Sequence, residues 1–210
     1  MKQHYLVVEG CIGTEKTELA EKLAFFFDAL FIKEDYGENS FLSNQLKKPK
    51  QHALAGQLQF LLDHIRQSQE INDQLKSVEK PIISDFLLAK DHSFVSEILP
   101  ENEVFLYWQL RSHLIKQEPI PDLVLFLDPS LESLERHMGK QESQRNERYS
   151  MAAIERFYQS YQRFFYLYED APALIANTDE LDFIYNKEHF DLLIQTLTHL
   201  EGKKNYLTLQ

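Results

Sequence analysis

The stretch Gly10-Cys11-Ile12-Gly13-Thr14-Glu15-Lys16-Thr17 constrains this chain more than any other. The apolar run Tyr5-Leu6-Val7-Val8 precedes it, and the helical pattern Leu19, Ala20, Leu23, Ala24 follows. Strand, glycine-bearing turn and helix form the context of a phosphate-binding loop of pattern G-x-x-x-x-G-K-[ST]. In that setting backbone N–H groups and a helix N-terminus face an anion. Lys16 would offer a point charge to the terminal phosphates, and the Thr17 hydroxyl would reach Mg²⁺. Glu15 stands at the second glycine position. Glycine there lets the backbone approach phosphate at little steric cost. A carboxylate adds negative charge, which opposes the ligand if it points inward and is screened if it points to solvent. Without a ligand, the same stretch is a plain turn between a strand and a helix.

The 210 residues match the size of one α/β domain, and a 43% hydrophobic content allows a sizeable core. A net charge of −11 argues against an extended nucleic-acid or anionic-membrane surface. The single cysteine, Cys11, excludes an internal disulfide and fits a reducing, cytoplasmic setting. No apolar run approaches the roughly 20 residues of a membrane span. Met1-Lys2-Gln3-His4 leads straight into a strand, so no signal peptide is expected.

Further apolar runs at Ala29–Lys33, Pro81–Ser84, Leu123–Leu127 and Ala173–Ala176 read as strands, each separated by a helical pattern. Five strands alternating with helices predict a parallel sheet covered on both faces, a three-layer α/β/α fold spanning residues 1–210 as one domain. Strand ends then collect chemistry on one edge of the sheet. Glu34 and Asp35 follow the second strand, and Asp85, Lys90 and Asp91 follow the third. A carboxylate such as Asp85 can hold Mg²⁺ directly or through water, or simply cap a helix. In the long helical pattern from Leu54 to Leu75, Gln57 falls on the apolar side and His64 two turns further along the same face. A buried glutamine carries both donors and acceptors, which suits a nucleobase edge; it is equally compatible with a satisfied core residue. The polar, charged segment 139–149 is a candidate lid.

These residues, taken together, resemble the deoxynucleoside kinase family. The likeness runs from Val8-Glu9-Gly10-Cys11-Ile12-Gly13 through Glu34 and Asn39-Ser40-Phe41-Leu42 to Pro121-Asp122-Leu123-Val124-Leu125-Phe126-Leu127-Asp128, and ends at Asn177-Thr178-Asp179-Glu180-Leu181-Asp182-Phe183. Ser84-Asp85-Phe86 with Lys90 is similar to a bacterial deoxyadenosine/deoxyguanosine kinase-like branch. The resemblance implies transfer of the γ-phosphoryl of ATP, with Mg²⁺, to a deoxynucleoside 5′-hydroxyl, in nucleotide salvage, and a homodimer. By position, Glu34 matches the general base, Gln57 a base-edge reader and Asp91 an acidic residue lining the base pocket. Asp85 matches the acidic residue near Mg²⁺, and Lys16 and Thr17 the phosphate and Mg²⁺ ligands. The implied ATP site comprises Gly10, Cys11, Ile12, Gly13, Thr14, Glu15, Lys16 and Thr17 with Arg145 and Arg148; the implied nucleoside site comprises Glu34, Gln57, His64 and Asp91.

The chain also departs from the family pattern. Besides Glu15, His64 stands where many relatives have an arginine beside the base, and Leu46 where several have a tyrosine that meets the sugar 3′-hydroxyl. A gapless placement puts Gln141 and Ser143 at the lid arginines, whereas a shifted one brings Arg145 and Arg148 there. Phosphoryl transfer depends on positioning and charge. Two functions therefore follow from the sequence: an active deoxynucleoside kinase, or a weak or inactive relative that binds nucleotide or a protein partner.

Overall fold

In β1 (Tyr5–Gly10), Leu6 and Val8 enter one apolar cluster while Tyr5 and Val7 enter another. β4 (Leu123–Asp128) repeats the division, with Leu123, Leu125 and Leu127 on one side and Val124 and Phe126 on the other. Successive strand residues point to opposite faces, so a strand apolar at every position must be covered on both. The structure, a computed structural model, describes residues 4–11, 13–35, 49–77, 80–141 and 151–209.

Between those strands lie α1 (Lys16–Phe27), β2 (Leu30–Ile32), α2 (Pro49–Ser77), β3 (Ile82–Ser84), a single 3₁₀ turn (Leu88–Lys90), α3 (Asp91–Ile98) and α4 (Glu101–Leu114). After β4 come α5 (Leu131–Gln141), α6 (Met151–Leu167), β5 (Ala173–Asn177), α7 (Lys187–Thr198) and β6 (Lys204–Leu207). The strand order is β2-β3-β1-β4-β5-β6, and every pairing is parallel. The expected sheet of five strands is therefore corrected to six. β6 pairs with β5 from Lys204 to Leu207 and is polar because it forms the sheet edge.

α1 and α7 cover one face through Leu19, Leu23, Phe190 and Leu193. α2, α5 and α6 cover the other through Ile71, Leu134, Ile154 and Phe165. α3 and α4 pack beyond them against α2, around Leu61, Val95 and Tyr107. Asp122, just ahead of β4, locks the centre of the sheet: its Oδ2 accepts the His4 and Tyr5 amides at 2.8 and 2.9 Å. β1 sits between β3 and β4, so the segments following β1, β2 and β3 meet at the carboxyl edge, the usual ligand crevice of an open parallel sheet. α5 continues to Gln141, so the first residues of the expected lid are helical.

Candidate active site

The loop after β1 has the backbone of a phosphate cradle. A Cβ on Gly10 would meet Thr14 Oγ1 at 2.6 Å, so only glycine fits beneath the turn. Thr14 folds back on the loop, its amide and hydroxyl donating to the Cys11 carbonyl at 3.2 and 2.8 Å. Gly13 has φ 91°, a left-handed conformation that suits glycine. Glu15 adopts φ 55° and ψ 28° and caps α1 without any side-chain bond to the helix. The glycine-like backbone of the motif is thus retained by a residue that bears a Cβ. The Glu15 side chain lines a cavity of about 260 Å³ with Leu127, His137, Asp179 and Asp182. Burial, then Glu18, raises its carboxyl above the ordinary value.

Beneath the loop lies a buried network of charges. Lys16 Nζ donates to Glu9 Oε1 and to Glu34 Oε2, each at 3.0 Å, and to the Asp85 carbonyl at 2.6 Å. Glu34 Oε1 accepts from Lys90 Nζ and lies 3.1 Å from His64 Nε2. Burial alone would raise the Glu34 carboxyl, but Lys16, then Lys90, together with His64 hold it well below the usual carboxylate range. The Glu34 amide donates to Asp85 Oδ1 at 2.5 Å, and Thr17 Oγ1 donates to Asp85 Oδ2 at 2.5 Å. Glu9, with no exposed surface, accepts the Leu87 amide at 3.0 Å and the Tyr161 hydroxyl at 3.3 Å. Burial, then Glu9, pushes the Tyr161 hydroxyl well above its usual range.

The Thr17 hydroxyl and the Asp85 carboxylate are hard oxygen donors set side by side. Mg²⁺ is usually bound through one or two protein oxygens together with substrate phosphates and water. The pair fits that demand. Among the described residues no cluster of three or more His, Cys, Asp or Glu makes an all-protein metal cage.

α2 borders the network on the far side. Gln57 and His64 are both buried, as their place on the apolar side of the helix requires. His64 stacks on Phe86 with ring centroids 5.4 Å apart and planes 7° from parallel. One turn on, Gln67 Nε2 donates to the Lys33 carbonyl at 2.6 Å and its Oε1 accepts the Asp35 amide at 3.1 Å. Gln67 thereby pins the backbone on both sides of Glu34. Asp91, at the start of α3, is buried and accepts the Tyr107 hydroxyl at 2.7 Å and Arg111 Nε at 3.4 Å. Arg111 therefore places a guanidinium beside Asp91, while position 64 carries a histidine.

Of the residues expected from sequence, Lys16, Thr17, Glu34, His64 and Asp85 converge on one cluster, and Asp91 opens α3 with Arg111 and Tyr107. Ile12, Arg145 and Arg148 lie outside the described residues. Sequence reasoning missed Glu9, Gln67, Arg111 and Tyr161 as parts of the site. It noted Lys90 as a charge at a strand end and as part of the branch motif Ser84-Asp85-Phe86 with Lys90, without assigning it a partner. The one local signal for Glu9 was a carboxylate at the inward-facing end of an otherwise apolar strand.

Comparisons with known proteins bear on the family and the fold. The deoxynucleoside kinase family profile matches residues 6–200. The chain is 24% identical over 191 residues to a deoxyguanosine kinase of Bacillus subtilis (strain 168), covering 89% of this chain and 92% of that one. It is 30% identical over 135 residues to a deoxyadenosine kinase of Dictyostelium discoideum, covering 63% of this chain and 55% of that one. Among solved structures, a deoxyadenosine kinase from M. mycoides with bound dCTP superposes with a TM-score of 0.77 at 19% identity, over 93% of this chain and all of that one; at that identity it speaks for the fold. A family profile spanning nearly the whole chain, over a phosphate loop that meets a buried carboxylate, places this chain in the deoxynucleoside kinase family.

Proposed function

We infer that the chain transfers the γ-phosphoryl group of ATP to the 5′-hydroxyl of a deoxynucleoside, within one domain, with Glu34 as the general base. The observation that carries this is the bond from Lys16 of the phosphate loop to Glu34 of the next strand end. One lysine then serves two sites in turn. Lys16 is drawn to the donor phosphates when ATP occupies the loop formed by Gly10, Cys11, Gly13 and Thr14. Glu34 Oε2 loses that cation, becomes more basic, and accepts the 5′-hydroxyl proton as the oxygen attacks the phosphoryl group. The cavity beside Gly13 and Glu15 gives room for the rest of the donor nucleotide. Thr17 and Asp85 would hold Mg²⁺, which supplies charge neutralisation across the phosphates. Gln57 and Asp91 face the nucleoside, and Arg145 and Arg148 are the cations of the lid.

A coupled assay with Mg-ATP and each of the four deoxynucleosides tests this. Turnover of at least one is expected, and Glu34→Gln lowers kcat by roughly 10²–10⁴-fold with little change in KM. A wild type inert toward all four leaves only the non-catalytic function. An effect of Glu34→Gln confined to KM makes Glu34 a binding residue.

A cytoplasmic homodimer active in nucleotide salvage belongs to the same proposal. Phe105 and Leu106 on α4 are 65% and 43% exposed and supply apolar surface for a second copy. Sedimentation at micromolar concentration should give twice the mass of 24.8 kDa; a monomer there rejects the dimer.

A further inference from the structure

We propose that His64 is a positioning residue for the catalytic carboxylate: its Nε2–H, on a ring fixed by Phe86, keeps Glu34 Oε1 in place when Lys16 leaves for the donor phosphates. This builds on the role of Glu34 in phosphoryl transfer and adds a residue that the family likeness places at the nucleobase instead.

The backbone at Glu34 is already fixed. Gln67 bonds the peptide groups on both sides of it, and Asp85 takes its amide. What remains is the direction of the carboxylate, which depends on its side-chain partners. Lys16 holds Oε2 and must be released for the reaction. Lys90 holds Oε1 on a flexible stem and also lies 3.8 Å from Glu9 Oε2, so it is shared. His64 also reaches Oε1, at 3.1 Å, and differs from both lysines. Its ring is 3% exposed and stacks almost parallel on Phe86, so the direction of its N–H is set by packing. A ring N–H held by packing orients a carboxylate with less freedom than an ammonium on a flexible stem.

The tautomer follows from the same geometry. His64 Nδ1 is buried and has no hydrogen-bond partner among the described residues. A proton on Nδ1 would leave a buried donor unsatisfied, whereas a bare Nδ1 leaves only an acceptor. The proton therefore sits on Nε2, facing Glu34. Division of labour on the carboxylate results: Oε1 is the anchor, held by His64 and Lys90, and Oε2 is the face that receives the hydroxyl proton. Among the described residues, Glu9 shares both lysines and Asp85 takes the Glu34 amide, and each is engaged by further donors of its own.

Two substitutions separate this from a packing role. Glutamine can place an amide donor near the position of Nε2, and asparagine only near that of Nδ1. With the folded state checked by thermal melting, His64→Asn is expected to lower kcat by roughly 10–100-fold, the scale of a misplaced catalytic group. Nucleoside KM should move much less, and His64→Gln should recover at least tenfold of the loss. Equal loss of kcat in both variants, or a change confined to KM, overturns the proposal. The second measurement needs no turnover: ¹⁵N-detected imidazole spectra of the wild type, assigned with His64→Gln. They should show Nε2 protonated and Nδ1 bare. The reverse tautomer overturns the proposal even in an active enzyme. A wild type inert toward all nucleosides but with the expected tautomer rejects the kinase function and keeps the contact.

Discussion

At Glu15 the backbone enters the left-handed region with φ 55°, which costs an L-residue about 1–2 kcal/mol. Glu15→Gly removes that strain but adds flexibility to the unfolded chain, worth about 0.4–1 kcal/mol in the opposite direction. A net gain of about 0.5–1 kcal/mol should raise the melting temperature by about 1–4 °C for a chain of this length. The effect on ATP is smaller than the motif alone suggests. The Glu15 carboxylate feels the charges of Glu18, His137 and Asp182 and none from the Lys16 cluster, so its removal should tighten Mg-ATP by a few-fold at most. Melting curves and calorimetry of the variant check both halves. An unchanged or lower melting temperature refutes the strain account, and a large gain in affinity shows that the carboxylate does reach the phosphates. Lys16, Thr17, Glu34 and Asp85 were legible in the sequence because a spaced motif and strand ends mark them. Glu9 and Arg111 were not. Glu9 takes the Leu87 amide 78 residues away besides nearby Lys16, Arg111 meets Asp91 20 residues away, and no local pattern records the distant pairings.

Among the elements, the central strands announced themselves through apolar runs, since a parallel strand buried on both faces tolerates little else. β6 did not, because its outer edge has no neighbour and Lys204, Asn205 and Tyr206 there remain partly or fully exposed. α3 and α4 are separate helices, and Pro100 divides them: it stands at the N-cap of α4 with extended ψ 155°. α2 shows what periodicity can and cannot deliver. Its 29 residues place Gln57 and His64 on the buried, apolar side, and this was legible from spacing. That His64 meets Glu34, and that Gln67 grips the peptides around it, depends on how the helix crosses β2 and β3. The helix therefore borders the nucleoside side and aligns the base at once, so a shift along its axis disturbs both.

Across the whole molecule the charge balance turns on which carboxylates gain or lose protons on folding. Burial, then Glu18, raises Glu15, and burial, with a smaller push from Asp179 against the Gln162 bond, raises Asp128. Mild acid therefore relieves the fold at these two sites, in a chain whose net charge of −11 already repels itself. Glu34 acts in the opposite sense. Its folded carboxyl titrates well below the usual value of 4.5. In the window from about that pH down to the folded value, the unfolded chain carries one more proton at this site than the folded chain. The stability contributed by Glu34 is fully present above the window and is lost as pH falls through it. Glu34→Gln removes this titration but keeps the shape, and Lys16 and Lys90 retain Glu9 as a partner. Urea unfolding of both proteins from pH 7 to pH 3.5 should then give a shallower acid limb for the variant. The difference in slope should approach one proton, about 1.4 kcal/mol per pH unit. Parallel limbs would mean that Glu34 takes up its proton at the same pH folded and unfolded. The two lysines would then not hold its charge, and ATP would have no base to release by drawing Lys16 away.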